Sequence, residues 1–221
     1  MSILCGIDEA GRGPLAGNLV MAGCILHVNI NGLDDSKKLT AKKREALYEL
    51  IVENASYHIV KFSAQDIDNN GISACLKKGL INILNNLKAD EYLFDGNQTY
   101  GVKNLATMVR ADGKVAEVSA ASILAKVTHD ADILEVAKKY PEYQFEKHKG
   151  YGTKLHVEMI KKYGYCAIHR KTYKIKALEP TLFKDTSTVS SLCVSIFSSF
   201  LPEPNPHTTY VVQRQTWHRV W

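Results

Sequence analysis

Ile3-Leu4-Cys5-Gly6-Ile7-Asp8-Glu9-Ala10-Gly11-Arg12-Gly13-Pro14 is the stretch on which the fold turns. Ile3 to Ile7 is a short apolar run closed by two carboxylates and then by Gly-Arg-Gly-Pro, which predicts a strand ending in a turn. The same residues argue against a signal peptide, because Met1 to Glu9 has no basic region and its apolar run stops at Asp8.

Outward from this strand, Leu19 to Val28 is a second apolar run rich in strand formers, and Gly32 to Lys38 is a polar loop. Thr40 can cap a helix from about Ala41 to Asn54, with Leu47, Leu50 and Ile51 at helical spacing. Tyr57 to Phe62 predicts a third strand, and Ile72 to Leu87 a helix with Leu76, Leu80, Ile83 and Leu84 on one stripe. Glu91 to Phe94 and Leu105 to Val109 are short strands that run into Asp95-Gly96 and Arg110-Ala111-Asp112-Gly113. A long helix is predicted from about Ala116 to Lys139, stopped by Pro141, and another from about Lys154 to Tyr163. The order, strands with interleaved helices and then helices, predicts a mixed α/β domain around one central sheet.

The 221 residues suit one compact domain with an appendage, and 45% apolar content suffices for a core without metal or disulfides. The net charge of +5 favours an acidic partner without identifying one. Cys5, Cys24, Cys75, Cys166 and Cys193 are odd in number and lack zinc or redox spacing, so they read as thiols of a reducing compartment. No apolar stretch approaches the ~20 residues of a membrane helix, and a cytoplasmic location is expected.

Asp8-Glu9, Asp95 and Asp112 all stand in polar turns at predicted strand ends. Four carboxylates at one place would repel, because like charges at ~4 Å cost several kcal/mol at a partly buried site. Cations would have to neutralise them, and Mg²⁺ or Mn²⁺ match an all-oxygen donor set. Adjacent strand residues point to opposite faces, so Asp8 and Glu9 share a site only if the backbone turns there. The plainer reading, turn and cap acids before glycine, stays open from spacing alone.

Longer patterns bear on that choice. Gly6-Ile7-Asp8-Glu9-Ala10-Gly11-Arg12-Gly13-Pro14-Leu15-Ala16-Gly17 resembles the signature of the type 2 ribonucleases H, the ribonuclease HII family. Asp35-Ser36-Lys37-Lys38-Leu39, Phe94-Asp95-Gly96-Asn97 and Arg110-Ala111-Asp112-Gly113 with Val118 to Val127 resemble its next blocks. Gly150-Tyr151-Gly152-Thr153-Lys154-Leu155-His156 and His169-Arg170-Lys171-Thr172-Tyr173 resemble its last two. The resemblance implies a ribonuclease H-like fold, with a central mixed sheet flanked by helices and a C-terminal helical region. It implies that Asp8, Glu9, Asp95 and Asp112 bind Mn²⁺ or Mg²⁺ and catalyse hydrolysis of RNA in RNA–DNA hybrids. It implies incision on the 5′ side of single ribonucleotides in duplex DNA, leaving a 5′-phosphate and a 3′-hydroxyl, in the service of ribonucleotide removal. Gly11, Arg12 and Gly13 would read the 2′-hydroxyl through the backbone, and Tyr151 would pack on the following sugar to test for deoxyribose.

Physical reasons accompany these roles. The 2′-hydroxyl is what separates RNA from DNA at a given position, and glycines let a backbone approach it. Ser119, Ser122, Lys126 and Asp130 share one face of the long helix and could meet phosphates; a small-residue packing seam is the alternative for the two serines. Ala120, Leu124, Val127, Ala131 and Leu134 form the expected core face. Lys37 and Lys38 are expected at phosphates, Lys42, Lys43 and Arg44 on a solvated face, and His169 and Arg170 as braces of the C-terminal helices. Residues 1–176 are expected to form the catalytic domain, and 177–221 an atypical tail that is disordered or loosely packed. The separate N-terminal domain of type 3 enzymes is not expected, which favours type 2. A monomer is expected; docking to replication or transcription machinery is an open alternative. Two rivals remain, a nuclease confined to long hybrids and a nucleic-acid-binding module that has lost catalysis.

Overall fold

The computed structural model describes residues 2–175 and residue 178; the expectations for the tail and for Cys193 lie outside the described residues. In chain order the elements are β1 (Leu4–Ala10), β2 (Leu19–Leu26), α1 (Ala41–Asn54), β3 (Ala55–Phe62), α2 (Ala64–Asn70) and α3 (Ile72–Asn86). They continue with β4 (Glu91–Asp95), β5 (Ala106–Met108), α4 (Ala116–Lys139), α5 (Phe145–His148) and α6 (Lys154–Tyr163). No helix among the described residues is long and apolar enough to cross a membrane.

The strands form one mixed sheet in the order β3-β2-β1-β4-β5. β1 pairs antiparallel with β2 and parallel with β4, so it is central and carries the Asp8-Glu9 pair into the middle of the sheet's edge. Strand alternation sorts β2 between two cores. Leu19, Met21 and Ile25 pack on one face with Cys75, Leu76, Leu80 and Ile83 of α3. Val20, Ala22 and Cys24 pack on the other with Leu47 and Ile51 of α1 and Ala120 to Ala125 of α4. Gly6 explains how α4 comes so near: a Cβ there would collide with the Glu117 and Val118 backbone. A third core joins Ala16, Ile133, Tyr143, Phe145 and Ile160.

Several details depart from the expectations. In α1, Leu47 and Ile51 are buried, whereas Leu50 is 45% exposed. In α4 the expected apolar face fails beyond Val127: Ala131 is exposed and Leu134 is 43% exposed, while His129 and Ile133 are buried. The N-terminal half of α4 is covered on all sides, from Val118 to Ala125, so no single stripe describes it. α2, capped by a Ser63–Asp66 box, and the four-residue α5 were not anticipated; both are too short to show a period.

Candidate active site: an acidic cluster beside a braced glycine turn

Parallel pairing sets the first two acids side by side. Ile7 of β1 lies opposite Phe94 of β4, and the next residues in this register are Asp8 and Asp95. Asp112 comes from a 3-10 turn, Ala111–Gly113, between β5 and α4. Two contacts fix that turn: the Ala111 N–H donates to Asp95 Oδ1 at 3.2 Å, and the Ser119 hydroxyl donates to the Asp112 carbonyl at 2.6 Å. Carboxylate oxygens of Asp8, Asp95 and Asp112 then all lie within 4.8 Å of one another. Glu9 is not in this group of three. It stands next to it, 3.7 Å from the Arg12 guanidinium, with a buried Oε2 that has no partner among the described residues.

The charges confirm the crowding. Burial, then repulsion from Glu9, holds the Asp8 carboxyl well above its ordinary range, despite the Ser122 hydroxyl that bonds it. Burial also pushes Glu9 up to about 7, with Asp95 adding to the shift and Arg12 opposing it. Asp112 is raised by burial and then by Asp95 and Asp35. For Lys37, burial disfavours the ammonium, yet attraction from Asp8, Asp35, Asp112 and Asp95 outweighs it and raises its pKa. An orphaned carboxylate oxygen beside three convergent acids fits a hard divalent cation with oxygen ligands.

The glycine turn sits beside this cluster. Gly11 has φ +85°, and a Cβ there would collide with the Asn18 carbonyl and the His129 ring, so only glycine fits. Arg170, 1% exposed, holds the turn from beneath. Its guanidinium donates to the carbonyls of Gly11 (2.6 Å), Arg12 (3.1 Å) and Gly17 (2.9 and 3.1 Å). The Tyr173 hydroxyl also donates to the Arg12 carbonyl at 2.8 Å. The turn's carbonyls are thereby drawn inward, and among the described residues the Arg12 and Gly13 N–H groups donate to no protein acceptor. A cavity of about 210 Å³ opens there, lined by Glu9, Gly11, Gly13, Lys37, Lys126 and Tyr151. Tyr151 is 42% exposed, and a Cβ on Gly13 would lie 4.0 Å from its ring.

The remaining expected contacts divide. Lys37 reaches the cavity; Lys38 is exposed and paired with Asp34 at 3.2 Å. Ser119 and Ser122 are 3% and 4% exposed. The Ser122 hydroxyl meets that of Ser36 at 2.8 Å, and Ser119 also donates to the Val115 carbonyl. In this arrangement both serines brace the acid-bearing loops from inside. Arg44, expected on a solvated face, instead donates to the Ser36 and Leu39 carbonyls and shapes the Lys37 loop. Arg170 grips the glycine turn in place of its expected role under the C-terminal helices. Neither arginine's hold on these carbonyls had a sequence signal, since any residue can supply a backbone carbonyl; Arg170 also donates to the Tyr173 hydroxyl at 3.3 Å.

A model of the family described as Ribonuclease HII matches residues 5–176. The chain belongs to the ribonuclease HII family. Ribonuclease HII of Sulfurovum sp. is 65% identical over 181 residues, covering 81% of this chain and 96% of that protein. Ribonuclease HII of Aliarcobacter butzleri is 55% identical, covering 80% and 94%. Among solved structures, the PCNA:RNase HII complex from Archaeoglobus fulgidus contains a similar chain, with TM-score 0.69 and 27% identity. That match covers 79% of this chain and 96% of the archaeal one. As a ribonuclease HII the protein is a divalent-metal-dependent endonuclease acting on the RNA of RNA–DNA hybrids, built on a ribonuclease H-like fold.

If Glu9 joins Asp8, Asp95 and Asp112 as a metal ligand, protons compete with metal for it. A Glu9 carboxyl at about 7 is mostly protonated at pH 6 and mostly ionised at pH 8. Calorimetric titration with Mn²⁺ should therefore show affinity lower at pH 6 than at pH 8 by at least about tenfold. Equal affinity at both would contradict this charge arrangement. In metal-free protein the same upward shift contributes stability fully present below the ordinary 4.5 and lost as pH rises through about 7.

Proposed function

We propose that this ribonuclease incises duplex DNA on the 5′ side of a single embedded ribonucleotide, by two-metal-ion catalysis, in ribonucleotide removal. The reading rests above all on one juxtaposition: three carboxylates within 4.8 Å of one another beside a glycine turn whose Arg12 and Gly13 N–H groups have no protein acceptor among the described residues. Asp8, Glu9, Asp95 and Asp112 would hold Mg²⁺ or Mn²⁺. When bound, the ions supply activation of water and neutralisation of charge at the phosphodiester.

The chain's own residues do the rest. The Arg12 and Gly13 amides are available to the 2′-hydroxyl of the ribonucleotide, which is absent from its DNA neighbours. Tyr151, its ring exposed beside Gly13, packs on the following sugar and favours the one without a hydroxyl. Lys37 and Arg12 hold backbone phosphates, and Lys38 joins them by leaving Asp34. Lys126, half-buried and paired with Asp130 at 2.8 Å, closes the cavity floor. Ser122 and Ser119 keep Asp8 and Asp112 in place. All these groups come from one chain, so a monomer is the working unit.

The test is incision of a duplex carrying one ribonucleotide, with Mg²⁺ or Mn²⁺ and with product ends mapped. A nick 5′ to the ribonucleotide, with 5′-phosphate and 3′-hydroxyl ends, is the expected result. Cleavage of long hybrids alone would select the hybrid-only alternative and reject this reading.

A further inference from the structure

We infer that His169 and His156 form a positioning chain that holds the Tyr151 backbone in place beside the glycine turn. The inference rests on the proposed reading of Tyr151 as the ring that tests the sugar after the ribonucleotide.

Three contacts define the chain. The Cys166 backbone N–H lies 2.9 Å from His169 Nδ1. His169 Nε2 lies 3.0 Å from His156 Nε2. His156 Nδ1 lies 3.0 Å from the Tyr151 carbonyl oxygen. The two ends assign every proton between them. A carbonyl oxygen only accepts, so His156 Nδ1 carries a hydrogen; an amide N–H only donates, so His169 Nδ1 carries none. In the middle, His156 Nε2 is left as the acceptor and His169 Nε2 as the donor. Each ring then holds one proton and is neutral, and all three hydrogen bonds are made at once. A second proton on either ring would set donor against donor.

The surroundings suit neutral rings. His156 is fully buried and His169 is 2% exposed. The His148 ring stacks on His156 with centroids 4.3 Å apart, and Phe145 packs edge-on against His156. The Cys166 thiol also approaches His169 Nδ1, at 3.0 Å. Burial pushes both histidines down to about 4.

Tyr151 needs such a hold. Tyr151 is 42% exposed, so side-chain packing does little to aim its ring. Gly150 and Gly152 on either side offer no side chains to anchor the segment. The direction of the ring is therefore set by its backbone, which donates to the His148 carbonyl at 2.9 Å and accepts from Thr153 N–H at 2.8 Å. Among the described residues the His156 bond is the one tie that reaches this backbone from a buried side chain, and through His169 it links Tyr151 to the Cys166–Arg170 segment. That segment ends in Arg170, which holds the glycine turn, so the ring and the turn share one support.

The test compares incision rates on two duplexes that differ only in the sugar after the ribonucleotide, deoxyribose or ribose. His156→Ala should lower the deoxyribose-to-ribose preference by about fivefold to tenfold, the worth of one buried hydrogen bond. His156→Asn, whose amide can still donate near the Nδ1 position, should keep most of the preference. Tyr151→Ala should lower it at least as much, and adding His156→Ala to Tyr151→Ala should change it no further. An unchanged preference in His156→Ala, with Tyr151→Ala impaired, would overturn the positioning chain and leave the Tyr151 reading standing. An unchanged preference in Tyr151→Ala would overturn that reading itself. Should His156→Ala fail to fold, nitrogen NMR of the wild-type rings at pH 7.5 decides the chain. An Nδ1–H tautomer for His156 and an Nε2–H tautomer for His169 support it, and any other assignment overturns it.

Discussion

Asp8→Asn should lower the incision rate by about three orders of magnitude or more, and Asp95→Asn should do the same, while affinity for the uncut duplex should change little. The reason is charge. Each replacement removes one of three convergent acids and keeps the shape of the side chain. Metal ions contribute several kcal/mol of charge stabilisation in phosphodiester hydrolysis, and each 1.36 kcal/mol is about tenfold in rate. On the proposed reading the duplex is held mainly by cations and backbone amides, which neither variant touches. A second readout excludes unfolding as the cause. Asp8 is buried and pushed toward protonation by burial and by Glu9, so a neutral Asn relieves repulsion in the metal-free protein. Asp8→Asn without metal should therefore melt no lower than the parent. Incision at parental rate in either variant would remove these acids from the chemistry.

Arg170→Met is expected to have the largest effect on the fold of the site. The guanidinium serves three carbonyls, and the Tyr173 hydroxyl continues to serve only the one of Arg12. Two buried carbonyls, those of Gly11 and Gly17, lose their donor, at about 1–3 kcal/mol each. Urea unfolding should show a loss of about 2–6 kcal/mol. Arg170→Lys should recover less than half of it, because an ammonium is a point donor and cannot span the planar fork that reaches all three oxygens. Incision at a single ribonucleotide should fall further than metal affinity does, since Arg170 touches the turn and not the acids. A variant as stable as the parent would show that the turn holds itself.

Particular residues show where sequence reasoning reached and where it stopped. Leu47 and Ile51 in α1, Leu76, Leu80 and Ile83 in α3, and the Thr40 cap followed from local period and cap chemistry. Leu134 and Ala131 did not end on a core face, because the third core is built around Ile133 by segments remote in the chain, Ala16 before α4 and Tyr143, Phe145 and Ile160 after it. For Ser119 and Ser122 spacing left a phosphate face and a packing seam both open; the inward turn of their hydroxyls depends on where the Asp112 turn and the Ser36 loop come to rest.

The amino-acid order alone determined that a strand carries Asp8, that the apolar run from Leu19 forms another, and which motifs mark a ribonuclease HII, because each is carried by neighbours in the chain; that β1 runs straight on through Glu9 to Ala10, with no turn at the acid pair, was not legible there. Tertiary structure alone decided that Asp8, Asp95 and Asp112 meet while Glu9 stands aside, and that Arg170 grips the glycine turn. Those outcomes hang on the register between β1 and β4 and on a guanidinium reaching backbone oxygens far away in sequence, and neither leaves a periodic trace.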